Sequence, residues 1–304
     1  MLWNQLQEQA VTIGWDFYGP VLFFIFLVAL GVPVWASIGA SAVAMLMVSQ
    51  VLPLSLFGES LFHGIDHFAL TAVPLFILTG DVLVRTGLSR KFLDVAEALT
   101  NWAKGGFGSA TVLVCGMFSA ISGSDAAGAA AVGRMTIDRL VESGYPRPYA
   151  CALVASGACT GILIPPSIAY IVIGLVLGIS ASTLFQAALI PGILILVSIL
   201  VTNIVVNRRF AYEGGGLISW NEWAANLWKA IRSGWYAFLV PGVIFWGIFS
   251  GRLTPTEAGA TAVVITVFIG FVLGTLKLSD FPSMMESSAK VNGVILPIIA
   301  MSLP

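Results

Sequence analysis

Apolar residues run along this chain in blocks, and polar residues collect in the gaps between them. The run Pro20–Leu52 is too long for one untilted membrane crossing, which takes roughly 20 residues. Gly31-Val32-Pro33 divides it, and Pro33 suits the first turn of a second helix. Leu54–Asp66 is amphipathic and predicts a helix along the membrane interface. Ala69–Val84 is the next apolar segment, interrupted by Pro74 and closed by Gly80-Asp81 and Arg85-Thr86-Gly87, with Asp81 reading as a helix-end charge. From Leu88 to Lys104 the pattern changes. Leu88, Phe92, Val95, Ala96 and Leu99 recur at helical spacing opposite Arg90, Lys91, Asp94 and Glu97, which predicts a helix lying in the interface. Its positive surroundings place it on the cytoplasmic side.

Gly106–Leu140 could be one long span by length, but Ser119-Ala120-Ile121-Ser122-Gly123-Ser124-Asp125 interrupts it. That cluster predicts two short helices meeting at a tip, a hairpin that enters and leaves on one side. Small residues from Gly123 to Gly133 allow close packing, and Arg134, Asp138, Arg139 and Glu142 mark the return to water before the turn Ser143-Gly144-Tyr145-Pro146. Tyr149–Ile179 is a span broken at Pro165-Pro166. Leu184–Val206 reads as a plain apolar span ended by Arg208 and Arg209, followed by a Gly214-Gly215-Gly216 turn. Trp220–Arg232 predicts a second interfacial helix, and Tyr236–Phe249 and Ala258–Leu276 two further spans. Thr254-Pro255-Thr256-Glu257 has the form of a capping box with proline at the first helical position, which accounts for Glu257.

Composition turns these segments into a class. With 58% hydrophobic and 10% charged residues and a mean hydropathy of +0.96, the chain cannot cover itself with a polar surface, so it is expected to be an all-α polytopic membrane protein. A net charge of −1 gives no reason to expect nucleic acid as a partner. Cys115, Cys151 and Cys159 lack metal-ligand spacing and read as small hydrophobes. Met1–Phe17 lacks a basic stretch before a short apolar core and reads as an interfacial lead-in rather than a cleaved signal. His63, Asp66 and His67 fall a turn apart, yet no third strong ligand is nearby, and they read as boundary residues. The spans hold no constellation for acid–base or metal catalysis, so no enzyme is expected.

The chemistry lies in the two breaks. In hydrocarbon, an irregular segment survives only where protein buries it or it lines a cavity. Pro165 and Pro166 have no N–H, which frees the carbonyls of Gly161 and Ile162, and Ile164 is pushed out of the helical region by the proline that follows. Carbonyls at a half-helix C-terminus plus serine hydroxyls are the hard oxygen ligands of a small alkali cation. The residues expected to hold sodium are therefore Ser119, Ser122, Gly161, Ile164 and Pro166. The helix that restarts near Pro166-Ser167, and Ser124 at the start of the second hairpin helix, point N–H groups toward an anion. Asp125 is open to two readings: a functional carboxylate, costly at this depth, or the N-cap of a helix from Ala126 to Leu140. Ser124, Asp125 and Ser167 are the substrate-binding candidates.

Punctuation also repeats. Pro33, Leu54-Ser55-Leu56-Phe57 and Pro74 are echoed by Pro255, Leu278-Ser279-Asp280-Phe281 and Pro297, at intervals that agree within two residues. Transporters are often built from such repeats. The expected organisation is N-terminal segments and an interfacial arm (1–105), a core of hairpin and broken helix (106–182), a span, second arm and further span (183–250), and the start of a second repeat (251–304). The numbering reaches Pro304 before a second counterpart of Ser122 would occur, so a partner half is expected from elsewhere or from further chain.

Val73-Pro74-Leu75-Phe76-Ile77-Leu78-Thr79-Gly80, Ile121-Ser122-Gly123-Ser124, Ile164-Pro165-Pro166-Ser167-Ile168, Ile190-Pro191-Gly192 and Thr254-Pro255-Thr256-Glu257-Ala258 together resemble the large membrane subunit of tripartite ATP-independent periplasmic (TRAP) transporters. The resemblance runs from about residue 20 onward. It implies a sodium-driven importer of organic acids, such as dicarboxylates, sialic acid or sugar acids, in the bacterial inner membrane. It further implies an elevator-type movement, a small membrane subunit and a periplasmic substrate-binding protein. The family's first sodium site maps onto Ser119, Ser122, Gly161, Ile164 and Pro166, and its substrate region includes Ser124. Where the family usually carries an aspartate, this chain has Gly128, with Asp125 one turn earlier. Another inverted-repeat carboxylate carrier, or a non-transporting assembly subunit, remain the alternatives.

Overall fold

The structure is a computed structural model that describes residues 15–49, 55–214 and 219–302. The expected lead-in before Trp15 and the Gly215-Gly216 part of the glycine turn lie outside the described residues. Those residues form helices and turns with no strand among them. The chain is all-α, and five described segments are long and apolar enough to cross a membrane: Phe68–Arg85, Arg147–Leu177, Ala181–Phe210, Trp220–Phe249 and Pro255–Val272.

Two compact units result, Met1–His67 with Asn292–Pro304, and Phe68–Val291. In the first, helix α1 (Trp15–Ala29) packs on α2 (Val34–Ser49). They are joined at Gly31, whose φ of +82° only glycine adopts cheaply. The division expected at Gly31-Val32-Pro33 is therefore a helical hairpin and not one bent helix. Helix α3 (Ser55–Ile65) follows.

The second unit begins with a 3-10 turn, Phe68–Thr71, leading into α4 (Ala72–Arg85), α5 (Leu88–Thr100), α6 (Gly106–Ser122), α7 (Asp125–Glu142) and α8 (Arg147–Leu163). Then come α9 (Ile168–Leu177), α10 (Ala181–Phe210), α11 (Trp220–Gly234), α12 (Leu239–Phe249) and α13 (Pro255–Val272). Its centre is the cluster α6, α7 and α8, closed by α10 across α6 and α8. Small residues permit this. A side chain on Gly157 of α8 would meet Cys115 Cβ of α6 at 3.0 Å. Helix α4 packs on α13 and on α6. At the start of α13 the capping box is present, with Thr254 N donating to Glu257 Oε2 at 2.8 Å.

Four expectations shift. The amphipathic helix α5 spends its apolar face on protein, with Leu88, Phe92 and Ala96 buried and Leu99 left exposed, because α6 and α11 pack against it. The segment predicted as Tyr236–Phe249 opens with a 3-10 turn, Trp235–Phe238, before α12. The span predicted to reach Leu276 ends at Val272, where Gly274 (φ +66°) turns the chain and Gly270 O accepts from Thr275 N and Leu276 N at 3.0 and 3.2 Å. The proposed repeat also diverges. Pro74 follows an interruption before α4, whereas Pro297 lies inside one continuous helix, α14 (Phe281–Ser302).

Candidate functional site

Helix α6 stops at Ser122 because Gly123 takes φ +67°, its N–H closing on Ser119 O at 2.7 Å. Ser124 is extended and caps α7, its hydroxyl accepting from Ala127 N at 3.4 Å. Of the two readings of Asp125, the N-cap falls instead to Ser124: the helix starts one residue earlier than expected and Asp125 occupies its first turn. A carboxylate there suits the positive end of the helix dipole. Asp125 approaches the backbone of Ile162, and its Oδ1 is buried without a hydrogen-bond partner.

The second break has the form that proline chemistry requires. Helix α8 ends at Leu163, Ile164 is extended (φ −88°, ψ 117°), and α9 begins at Ile168 after Ser167 (φ −129°, ψ 130°). The Pro165-Pro166 peptide is cis. Ile164 N still donates to Thr160 O at 2.9 Å. Neither proline has an N–H to offer the next two carbonyls, those of Gly161 and Ile162.

These two breaks meet. The Ser119 side chain fills the space where a Cβ on Gly161 of α8 or on Gly128 of α7 would stand. A side chain on Gly123 would lie 3.0 Å from Ile168 Cγ1 and 3.5 Å from Pro166 O, and Ile168 N reaches Gly123 O at 3.5 Å. The hairpin tip therefore abuts the proline break. Ser119 meets Gly161, and Gly123, next to Ser122, meets Pro166, while Ile164 lies between Gly161 and Pro166 in the chain with its side chain against Gly192 of α10. Ser119 and Ser122 are 0% and 1% exposed. Ser119 Oγ and Ser167 Oγ are buried without a hydrogen-bond partner. Ser122 Oγ has only long contacts, to Ser119 O at 3.4 Å and Ser124 O at 3.3 Å. On its other side Ser122 packs on Gly80 of α4, where a Cβ would come within 2.9 Å of Ser122 Cβ.

A cavity of about 250 Å³ opens beside the tip, walled by Ser122, Ser124, Phe118, Asp81, Arg134 and Ser287 among others. Ser124 reaches it, while Asp125 and Ser167 are not among its walls.

A second polar cluster escaped the sequence reading. Helix α10 is not the plain apolar span expected, because Asn203 and Asn207 on it are buried. Asn203 Nδ2 donates to Gly105 O and Ser109 Oγ at 3.2 and 3.1 Å. Beyond α10, Glu213 accepts from Phe107 N at 2.9 Å, Gly108 N at 3.4 Å and the Tyr145 hydroxyl at 3.0 Å. Glu213 so caps the foot of the hairpin from a distant part of the chain. Burial, with the Glu213 carboxylate beside it, pushes the Tyr145 phenol above its ordinary range. The available signal was two asparagines one turn apart near the end of an apolar helix.

A helical hairpin abutting a proline-broken helix, set among membrane-length helices, defines a polytopic membrane protein with the discontinuous elements that carriers place at their binding sites. Comparison with known proteins narrows the class. Residues 21–303 match the family model described as tripartite ATP-independent periplasmic transporter, DctM component, and the chain belongs to this family. It is 34% identical over 265 residues to the C4-dicarboxylate TRAP transporter large permease protein of Pseudomonas aeruginosa, covering 87% of this chain and 61% of the relative. The isethionate TRAP transporter permease protein DctMQ of Oleidesulfovibrio alaskensis is 31% identical over 93% of this chain and 45% of its own length. The sialic acid TRAP transporter large permease protein of Vibrio cholerae is 29% identical over 91% of this chain and 64% of its own length. The chain thus spans less than two thirds of the length of these three relatives.

Proposed function

We propose that this chain forms the first sodium-binding half of the large membrane subunit of a secondary transporter that imports an organic acid across the bacterial inner membrane. A periplasmic binding protein delivers the acid and a small membrane subunit assists. The observation that carries this reading is Ser119. Its hydroxyl is buried and unpartnered, lodged between Gly128 and Gly161 next to the carbonyls that the two prolines leave without donors. A buried polar atom left unpaired costs about 1–3 kcal/mol, so its retention points to a ligand. Serine hydroxyls and main-chain carbonyls form a neutral, all-oxygen set that fits an alkali cation and suits a transition metal poorly. Ser119, Ser122, Gly161, Ile164 and Pro166 would hold sodium. A bound ion would bring positive charge to the hairpin tip, next to the cavity that Ser124 lines.

Residues 106–182 then act as the moving core in an elevator-type step. The close seams of α6, α7 and α8 support their travel as one piece, with α5 and α11 as arms. The relatives differ in the acids they are named for, which accords with selectivity residing largely in the binding protein. The test is uptake into proteoliposomes holding the complete transporter with binding protein and small subunit, driven by an imposed sodium gradient. Uptake should require sodium, and Ser119→Ala should raise the sodium concentration for half-maximal uptake about tenfold, the ratio that 1.4 kcal/mol gives. Uptake indifferent to sodium would refute the reading.

A further inference from the structure

The sequence places both α5 and α11 in the membrane interface, yet the two helices use their apolar residues differently. Helix α5 turns its apolar side to protein, whereas α11 carries two apolar stripes. The first is Trp223, Leu227, Ala230 and Gly234, the first three half-buried and the last buried. It lies against α5. The Trp223 indole N–H donates to Leu99 O at 3.3 Å, and a Cβ on Gly234 would come within 3.2 Å of Lys91 Cβ. Helix α11 therefore runs antiparallel along α5, its start beside Leu99 and its end beside Lys91. The second stripe is Trp220, Trp228, Ile231 and Trp235, which are 74%, 67%, 39% and 57% exposed. Trp235 still has helical dihedrals (φ −55°, ψ −35°), so at about 100° per residue all four fall within roughly 80° of one another. Because the first stripe pins the helix to α5, the second has no way to turn inward.

Charge says what this outer face meets. Every acid on the two helices is engaged: Asp94 pairs with Lys91 at 3.5 Å, Glu97 pairs with Arg139 at 3.1 Å, and Glu222 accepts from Ser219 N at 3.3 Å within a capping box. Arg90, Lys229 and Arg232 are exposed and make no ion pair among the described residues. The surface is therefore cationic. Arg232 stands one turn from Trp228, and Lys229 one turn from Arg232 on the polar side. Arg90 adjoins Lys91, at the end of α5 that meets the last turn of α11. Indoles favour the headgroup level of a bilayer, where the ring is in apolar surroundings and the N–H is wet. Asn221, Glu222, Asn226 and Lys229 on the remaining side keep the helix from sinking into hydrocarbon. A neutral lipid surface would satisfy the indoles alone, whereas three spare cations beside them complement anionic headgroups.

We propose that α11 is an anchor for anionic phospholipid, its outer tryptophans seated at the headgroup level and Arg90, Lys229 and Arg232 holding lipid phosphates. This goes beyond the transport reading and does not depend on it. The test uses the purified intact membrane complex in nanodiscs of phosphatidylcholine alone and of phosphatidylcholine mixed with phosphatidylglycerol, at one ionic strength. Hydrogen exchange is followed by mass spectrometry. One basic residue near an anionic surface is worth about a fivefold change, so exchange across 220–235 should slow about fivefold or more in the mixed discs, with α13 alike in both. Combining Arg90→Gln, Lys229→Gln and Arg232→Gln should erase the difference between the lipids. Trp220→Ala with Trp228→Ala should quicken exchange in both and keep their ratio. Equal exchange of wild-type α11 in the two lipids would overturn the proposal, as would a lipid difference that survives the triple substitution. Release of the small subunit by the tryptophan variant, with α11 indifferent to phosphatidylglycerol, would assign the face to a protein partner and overturn it too.

Discussion

Ser119 and its two glycines show how much one position decides. The hydroxyl sits where neither Gly128 nor Gly161 leaves room for a methyl group, so both glycines serve packing as well as the site. Gly161→Ala would force a methyl into the Ser119 side chain, and overpacking of this kind costs about 1–3 kcal/mol. The variant should melt below the wild type in detergent, whereas Ser119→Ala, which removes a group without a partner, should melt within a degree or two of it. Equal melting temperatures for Gly161→Ala and wild type would show that the two helices are not in close contact. The same geometry bears on residue 128. An aspartate there could not be accommodated without displacing Ser119, which accords with the carboxylate standing at Asp125 instead.

At the scale of elements, the hairpin is fastened at both ends by different physics. Its tip is held by close backbone approach to the proline break, and its foot by the Glu213 carboxylate capping the N-terminus of α6. Glu213→Ala would leave the Phe107 and Gly108 N–H groups and the Tyr145 hydroxyl without that acceptor. A loss of about 1–3 kcal/mol is expected, read as a lower melting temperature. Hydrogen exchange should quicken first at the start of α6. Tyr145 adds a pH signature. Its folded-state pKa is raised by burial and by Glu213, so folding favours the neutral phenol. That contribution is complete below the ordinary tyrosine value of about 10 and fades as pH rises above it. The stability advantage of wild type over Tyr145→Phe should therefore narrow above about pH 10; a constant gap across that range would contradict the assigned contact.

At the scale of the whole molecule, long apolar faces of α1, α10 and α13 stay exposed, among them Leu22, Leu194 and Phe268 at 56%, 62% and 66%. Faces of this size need lipid or detergent around them. Removal of detergent should aggregate the purified protein, and recovery of a monodisperse species in plain buffer would contradict the membrane assignment. Within Phe68–Val291, amide exchange should be slowest in α6, whose residues are nearly all buried, and faster in α11, where Trp220 and Trp228 stand exposed.

Local chemistry settled the helix breaks in advance. A proline removes a donor and restricts the residue before it whatever surrounds it, so the ends at Leu163 and Ile168, the extended Ile164 and the capping box at Thr254 could be read residue by residue. The hairpin was legible for the same reason, since a glycine flanked by serines cannot continue an apolar helix at no cost. Other features needed the folded chain. Glu213 finds its donors 106 positions away in sequence at Phe107, and Arg139 finds Glu97 of α5 and the Phe107 ring of α6 only once the helices pack. Periodicity marked α5 as amphipathic without revealing that its apolar side meets protein. Spacing along a chain encodes which backbone groups lack partners, whereas distance, burial and charge balance between remote segments arise only when helices pack.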